Sequence, residues 1–156
     1  MASKKKPSGD LIAVNRRARF DYVLEAEYEA GLVLEGWEVG SLRRGRAQLT
    51  ESHVTVRRGE AYLVGAHFAP LAWTSTHRPA RPVRDRKLLL HRREIARLAG
   101  AVERQGYALV PLRLYWRNRR VKLAFALARG KKQYDKRQSL KQQQWNRDRL
   151  RLLKRS

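Results

Sequence analysis

Between Tyr22 and Glu35 the chain alternates for fourteen residues. Tyr22, Leu24, Ala26, Tyr28, Ala30, Leu32 and Leu34 share one parity, and Glu25, Glu27, Glu29 and Glu35 share the other. A period of two over that length predicts a long strand with one face on a core and one in water. Gly31 within it predicts a bulge or bend of the kind a sheet needs in order to curl. Six of the fourteen acidic residues (Asp21, Glu25, Glu27, Glu29, Glu35 and Glu38) lie in or beside this stretch. The acidic face would repel phosphate, although a carboxylate there can accept hydrogen bonds from base edges or a 2′-OH.

The rest of the body supplies partners for that strand. Leu11–Val14 reads as a short apolar strand, followed by Arg16, Arg17 and Arg19 in a turn. Trp37 to Arg44 reads as a helix between Gly36 and Gly45, with Trp37 and Leu42 over the core and Arg43, Arg44 and Arg46 facing out. Val54–Val56 and Ala61–His67 form a hairpin across Arg57-Arg58-Gly59-Glu60; Tyr107–Trp116 and Val121–Ala128 form another across Arg117-Asn118-Arg119-Arg120. Val121, Leu123, Phe125 and Leu127 alternate, and Pro111 predicts an edge or a bulge in the preceding strand. Lys87–Leu90 runs into a helix over His91–Gln105, interrupted near Gly100, and Leu71–Val83 reads as a long loop. About six mostly antiparallel strands with two or three short helices predict a mainly β fold, a small closed barrel of the oligonucleotide-binding type. The expected organisation is a disordered basic arm over 1–9, a barrel domain over 10–129 and a basic tail over 130–156.

Charge indicates the partner. With 36 Lys and Arg against 14 Asp and Glu, the formal charge is +22, far beyond what solubility requires. Such a surface favours nucleic acid through counterion release, with anionic membrane the lesser option. No apolar run approaches the roughly 18 residues a membrane span needs, and Lys4-Lys5-Lys6 is followed by too short an apolar stretch for a signal peptide. The absence of cysteine excludes disulfides and thiolate zinc sites, and the reading is a cytoplasmic protein. Ala128–Ser156 alone carries eleven basic and two acidic residues. Ser139-x-x-Gln142 fits a capping box, and Leu140 to Arg155 has helical propensity without a single apolar stripe. Such a tail is expected to be disordered alone and to fold along a polyanion.

No catalytic or cofactor constellation accompanies this charge. The four histidines, His53, His67, His77 and His91, show no ligand spacing, and no phosphate loop, dinucleotide fingerprint or zinc pattern occurs. The expectation is a non-enzymatic binder with neither metal nor cofactor.

Several blocks are similar to one family. Asn15-Arg16-Arg17-Ala18-Arg19, Tyr28-Glu29-Ala30-Gly31-Leu32-Val33-Leu34, Gly36-Trp37-Glu38-Val39 and Ser41-Leu42-Arg43 resemble the signature of the small protein B, or SsrA-binding, family. Arg86-Lys87-Leu88-Leu89-Leu90-His91, Arg93-Glu94, Gly106-Tyr107 and Gly130-Lys131-Lys132-Gln133-Tyr134-Asp135-Lys136-Arg137 continue the match in order. The resemblance implies an oligonucleotide-binding-type barrel that holds the tRNA-like end of transfer-messenger RNA, one monomer per RNA, and brings it to ribosomes stalled on messages without a stop codon. Asn15, Glu29, Leu89 and His91 occupy positions that contact this RNA in the family. Arg16, Arg17 and Arg19 flank Asn15, and Gly130, Lys131 and Lys132 lie beside the same surface. The family's tail enters the empty decoding site and message channel of the small subunit as a helix, which implies ribosome contacts for Tyr134, Asp135, Lys136, Arg137, Lys141 and Trp145. Two positions depart from the family pattern: Phe20 stands where His is common, and Gly40 where Lys is common. A general basic ribosomal protein would account for the charge and the barrel but not for the colinear blocks. A nuclease would require metal-dependent cleavage of the RNA.

Overall fold

The structure is a computed structural model that describes residues 10–71, 80–131 and 133–155. In chain order its elements are β1 (Leu11–Val14), α1 (Ala18–Asp21), β2 (Tyr22–Leu32), α2 (Gly36–Arg43), β3 (Ala47–Gln48), β4 (His53–Arg57), β5 (Glu60–Val64), β6 (His67–Phe68), β7 (Arg86–Leu89), α3 (Arg92–Gln105), β8 (Ala108–Arg117), β9 (Arg120–Gly130) and α4 (Gln133–Arg155). Strands β8, β4, β5, β7, β2 and β9 pair in that order, and β9 returns to β8, so the sheet closes into a ring. All of these pairings are antiparallel; β1 joins the outer edge of β8, and β3 pairs with β6. The mainly β, antiparallel architecture read from alternation is present.

The two tight hairpins form as the sequence predicts. Arg58 and Gly59 have φ of 52° and 76°, and Asn118 and Arg119 have 51° and 64°. Two central residues in the left-handed region match the twist of the flanking strands.

The ring encloses Leu42, Leu63, Leu88, Leu98, Leu114, Leu123 and Phe125, with Trp37, Tyr28 and Trp116 packed against them. A second apolar cluster contains Ala18, Val110, Leu112, Tyr115, Ala124, Ala126 and Ala128, covered by Tyr22 and Leu24. The alternation in β2 therefore hides a break. The register against β9 shifts between Leu24 and Ala26, leaving Glu25 as the extra residue. One inserted residue exchanges the faces of everything beyond it. Tyr22 and Leu24 consequently join the outer cluster, whereas Tyr28 and Ala30 point into the ring. The bulge expected at Gly31 is instead at Glu25. Gly31 stays in register with both Leu89 and Lys122, and a Cβ there would lie 3.4 Å from Leu89 Cδ1. A second shift, between Pro111 and Arg113, meets the expectation of a bulge beside the proline.

Other expectations are corrected. Residues 86–89 form a strand, because Leu88 fills the ring while Lys87 and Leu89 face out, a two-residue period that the following helix masks in sequence. Helix α3 passes through Gly100 without a break, its amphipathic face burying Ile95 and Leu98. The helix of the tail begins at Gln133, so Ser139 lies inside it and does not cap it. Residues 15–19, read as a turn, include the start of the one-turn helix α1. Residues 1–9, most of the loop expected over 71–83 including His77, and Lys132 lie outside the described residues.

Glu38 is also not a surface acid. It is fully buried, with Arg86 buried beside it. Arg86 Nε donates to Glu38 Oε2 at 2.6 Å, and its other nitrogens donate to the carbonyls of Ala66 (2.7 Å) and Pro82 (3.0 Å). Arg84 Nη2 and the backbone N–H of Glu35 supply Glu38 Oε1 at 2.6 and 2.8 Å. The Arg86 guanidinium stacks 3.7 Å from the Phe68 ring centroid. Burial pulls the Arg86 pKa down and the Glu38 carboxylate opposes that shift. This network ties α2 to β7, the strand that ends at Leu89.

Candidate nucleic-acid interface

The bulge at Glu25 leaves Glu25, Glu27 and Glu29 along the outer side of β2, but not as bare solvated acids. Arg129 Nε donates to Glu25 Oε1 at 2.7 Å, and the Tyr107 hydroxyl bonds the same carboxylate and holds its pKa down. Arg113 pairs with Glu27. Glu29 accepts from the Tyr115 hydroxyl and, at 3.0 Å to both oxygens, from Arg117 Nη1. Burial and the Glu29 carboxylate together raise the Tyr115 pKa. Each glutamate thus meets an arginine from β8 or β9, so the expected phosphate-repelling face is a ladder of paired charges. Such a row presents ordered donors and acceptors with little net field, which suits recognition by hydrogen bonding more than attraction of charge.

The ladder connects two basic ends. At the upper end, Glu29, Arg117, Asn118, Arg120 and Lys122 line an open cleft of about 450 Å³. Gly31 lets Leu89 and the Lys122 ammonium close over the strand, and Leu89 is 55% exposed. Two residues on, the exposed His91 caps α3, its backbone N–H donating to Glu94 Oε1 at 3.3 Å. Glu29, Leu89 and His91 are therefore brought to one neighbourhood.

At the lower end Asn15 faces inward, 9% exposed. Its Nδ2 donates to the Pro111 carbonyl at 2.9 Å and its Oδ1 accepts from the Arg17 backbone at 3.3 Å. Asn15 therefore shapes the corner, while Arg16, Arg17 and Arg19 are exposed around it. Arg16, Arg19 and Arg113 line a groove of about 280 Å³. Arg17 lies 5.6 Å from the centroid of Phe20, so the ring at this position stacks on a guanidinium. Gly130 pairs with Tyr22, and the Lys131 backbone N–H donates to the Asp21 carbonyl at 2.9 Å. That main-chain tie joins the start of the tail to the arginine corner. The seven steps from Tyr22 to Glu29 separate the two ends by about 23 Å, at roughly 3.3 Å per residue.

The profile of the SmpB protein family matches residues 12–155. The chain belongs to the SmpB family. A protein from Alkalilimnicola ehrlichii described as an SsrA-binding protein is 52% identical over 154 residues, 99% of this chain and 96% of its own. Another of that description, from Nitrosomonas europaea, is 53% identical over 143 residues, 92% of this chain and 95% of its own. A solved structure described as "tmRNA-SmpB: a journey to the center of the bacterial ribosome" superposes with a TM-score of 0.63 at 45% identity, covering 77% of this chain and 84% of that one. The resemblance read from the blocks of motif is thereby met.

Within this SmpB-family chain the remaining expected residues lie on α4. Arg137, Lys141 and Trp145 are exposed, Trp145 at 62%; Tyr134, Asp135 and Lys136 stand in the first turn of the helix. From Leu140 to Lys154 every side chain is exposed, so this stretch of the helix buries none of its side chains in the core. The sequence reading missed Tyr115, Arg117 and Lys122. Their signal was available: Tyr115 and Arg117 stand two apart on the parity opposite to Leu114 and Trp116. Among the described residues no group of histidine and carboxylate side chains has metal-holding geometry, and no helix is long and apolar enough to cross a membrane.

Proposed function

We propose that this protein binds transfer-messenger RNA and brings it to stalled ribosomes for trans-translation. Its place in the SmpB family carries this reading, since relatives across nearly the full chain are SsrA-binding proteins and the matching structure is a tmRNA–SmpB assembly with the bacterial ribosome. The charge of +22 supplies the electrostatic affinity that any such RNA binder needs. The outer face of β2, β9 and β8 is the RNA surface in this reading. Glu29 with Tyr115 and Arg117 orients donors and acceptors toward the RNA. Leu89 offers an apolar platform and His91 a polar group beside it. Arg16, Arg17, Arg19, Gly130, Lys131 and Lys132 hold the backbone at the other end, with Asn15 setting their geometry.

The tail performs the second task. A helix of 23 residues with no buried side chain among those described depends on its surroundings for persistence, because most helical stability in proteins comes from packing an apolar face. It forms fully along the decoding site and message channel, where Tyr134, Asp135, Lys136, Arg137, Lys141 and Trp145 meet ribosomal RNA. The protein acts by binding, without catalysis or cofactor, in the cytoplasm. Purifying it from its native cells and sequencing the bound RNA tests the reading: transfer-messenger RNA dominates the recovered RNA, and recovery of ribosomal RNA alone, in fixed stoichiometry, defeats it.

A further inference from the structure

Helix α3 carries a basic stripe that the fold does not use. Ile95 and Leu98 turn inward, with Leu90 beside them. Arg93, Arg97, Gly100 and Arg104 fall at steps of four, three and four residues, which places them within about 60° of one another at roughly 100° per residue. All three arginines are exposed, and among the described residues none enters an ion pair. Glu94, the acid nearest Arg93 in sequence, is occupied by the His91 backbone N–H.

The stripe is unfavourable for the isolated helix. Arg93 is a cation in the first turn, against the helix dipole. Arg93 and Arg97 are like charges four residues apart, a repulsive spacing. Gly100 is a poor helix former, and a Cβ built on it would meet nothing within 4 Å. Three choices that weaken the helix coincide on one line, and a polyanion lying along that line reverses the first two. The third leaves a notch between Arg97 and Arg104 where a sugar–phosphate backbone can approach the helix closely. The stripe also starts beside the proposed RNA surface, since α3 is capped by His91, two residues beyond Leu89.

We infer that the outer face of α3 is a second backbone-binding surface for the same RNA, with Arg93, Arg97 and Arg104 each holding a phosphate of the tRNA-like part across the Gly100 notch. The inference rests on the reading of the chain as a binder of transfer-messenger RNA.

The test compares the full chain with the Arg93→Gln/Arg97→Gln/Arg104→Gln variant against intact transfer-messenger RNA, by fluorescence anisotropy at 50 and 200 mM salt. Glutamine keeps helix propensity, and circular dichroism verifies the fold. Three phosphate contacts contribute about 0.7–0.9 each to the salt slope, so the affinity of the wild type falls roughly 20–40-fold more than that of the variant over this range. Gly100→Glu, which fills the notch with a charge of the wrong sign, also weakens binding while improving helix propensity. Equal salt slopes for the wild type and the triple variant, or wild-type affinity in Gly100→Glu, overturn the inference. So does a triple variant that binds the RNA normally but no longer sediments with ribosomes, since its stripe would then serve ribosomal RNA. A wild-type protein that fails to prefer transfer-messenger RNA over other RNA of equal length defeats the functional reading instead, a separate outcome.

Discussion

Replacing Glu38 by Gln removes the counter-charge of a guanidinium that has no access to water. Both Glu38 oxygens accept only from donors: Arg86 Nε and Arg84 Nε on Oε2, Arg84 Nη2 and the Glu35 backbone on Oε1. An amide nitrogen placed on either side would face a donor. Arg84 is 23% exposed and can turn toward solvent, but Arg86 is at 0% and cannot. Breaking a buried pair in this way costs about 3–5 kcal/mol. For a chain of this size each kcal/mol moves the melting temperature by roughly 2–4 °C, so the transition drops by about 6–20 °C. Urea unfolding followed by tryptophan fluorescence measures it, because Trp37 and Trp116 pack on the core. Pairing Glu38→Leu with Arg86→Met removes both charges, and the double variant should lose less than the sum of the singles by about 2–3 kcal/mol. A Glu38→Gln protein within about 1 kcal/mol of wild type, or strictly additive variants, would refute the account of an obligatory buried pair.

Glu29→Gln should weaken transfer-messenger RNA binding by about 1–3 kcal/mol, measured by anisotropy titration; tighter binding, the result of merely deleting a negative charge, would show that Glu29 does not organise the face. Ending the chain at Lys132 keeps the Lys131–Asp21 tie, so thermal unfolding and RNA affinity should stay near wild type, and a chain that no longer folds would make α4 part of the core. Removing Gln138–Ser156 should abolish peptide tagging on a message without a stop codon in a reconstituted translation assay while leaving RNA binding nearly intact; surviving tagging would contradict the division of labour. Tyr107→Phe should let the Glu25 pKa rise back toward its ordinary value of 4.5, read from the carboxyl carbon in an NMR titration. The interaction stabilises the fold above that ordinary pKa and is lost as pH falls through the depressed one, so an unmoved Glu25 titration would show that the phenol is not its partner.

The strand character of β2 and β9 and the two hairpin turns were legible because each is a local pattern with a single physical reading. The errors share one cause, which is that long-range pairing overrides local signals. Residues 86–89 look continuous with α3 until Ala61, Tyr62 and Leu63 are known to pair with them. Gly31 was the obvious place for a bulge, yet the register breaks at Glu25, a residue with no conformational marking, because Tyr22 and Leu24 have an outer cluster to join. Glu38 reads as one acid among six, and only a fold that brings Arg84 and Arg86 beneath α2 can bury it. For the interface, the residue types were visible, but the pairing of Glu25, Glu27 and Glu29 with arginines 86 to 104 residues away was not. Asn15 occupies a position that contacts RNA in the family, but its hydrogen bond to the Pro111 carbonyl on a distant strand has no signal in the sequence.

The tie between Lys131 and Asp21 has a consequence for distance and angle. It sets an origin, and α4 begins two residues after it. Once formed, the helix extends about 34 Å from there, at roughly 1.5 Å per residue. Inserting one residue within α4 between Gln133 and Trp145 would lengthen the helix by about 1.5 Å, but it would turn Trp145 and the basic side chains beyond it by about 100° around the axis. Phase, more than reach, is what such an insertion changes. Insertions that restore phase should disturb the tail least.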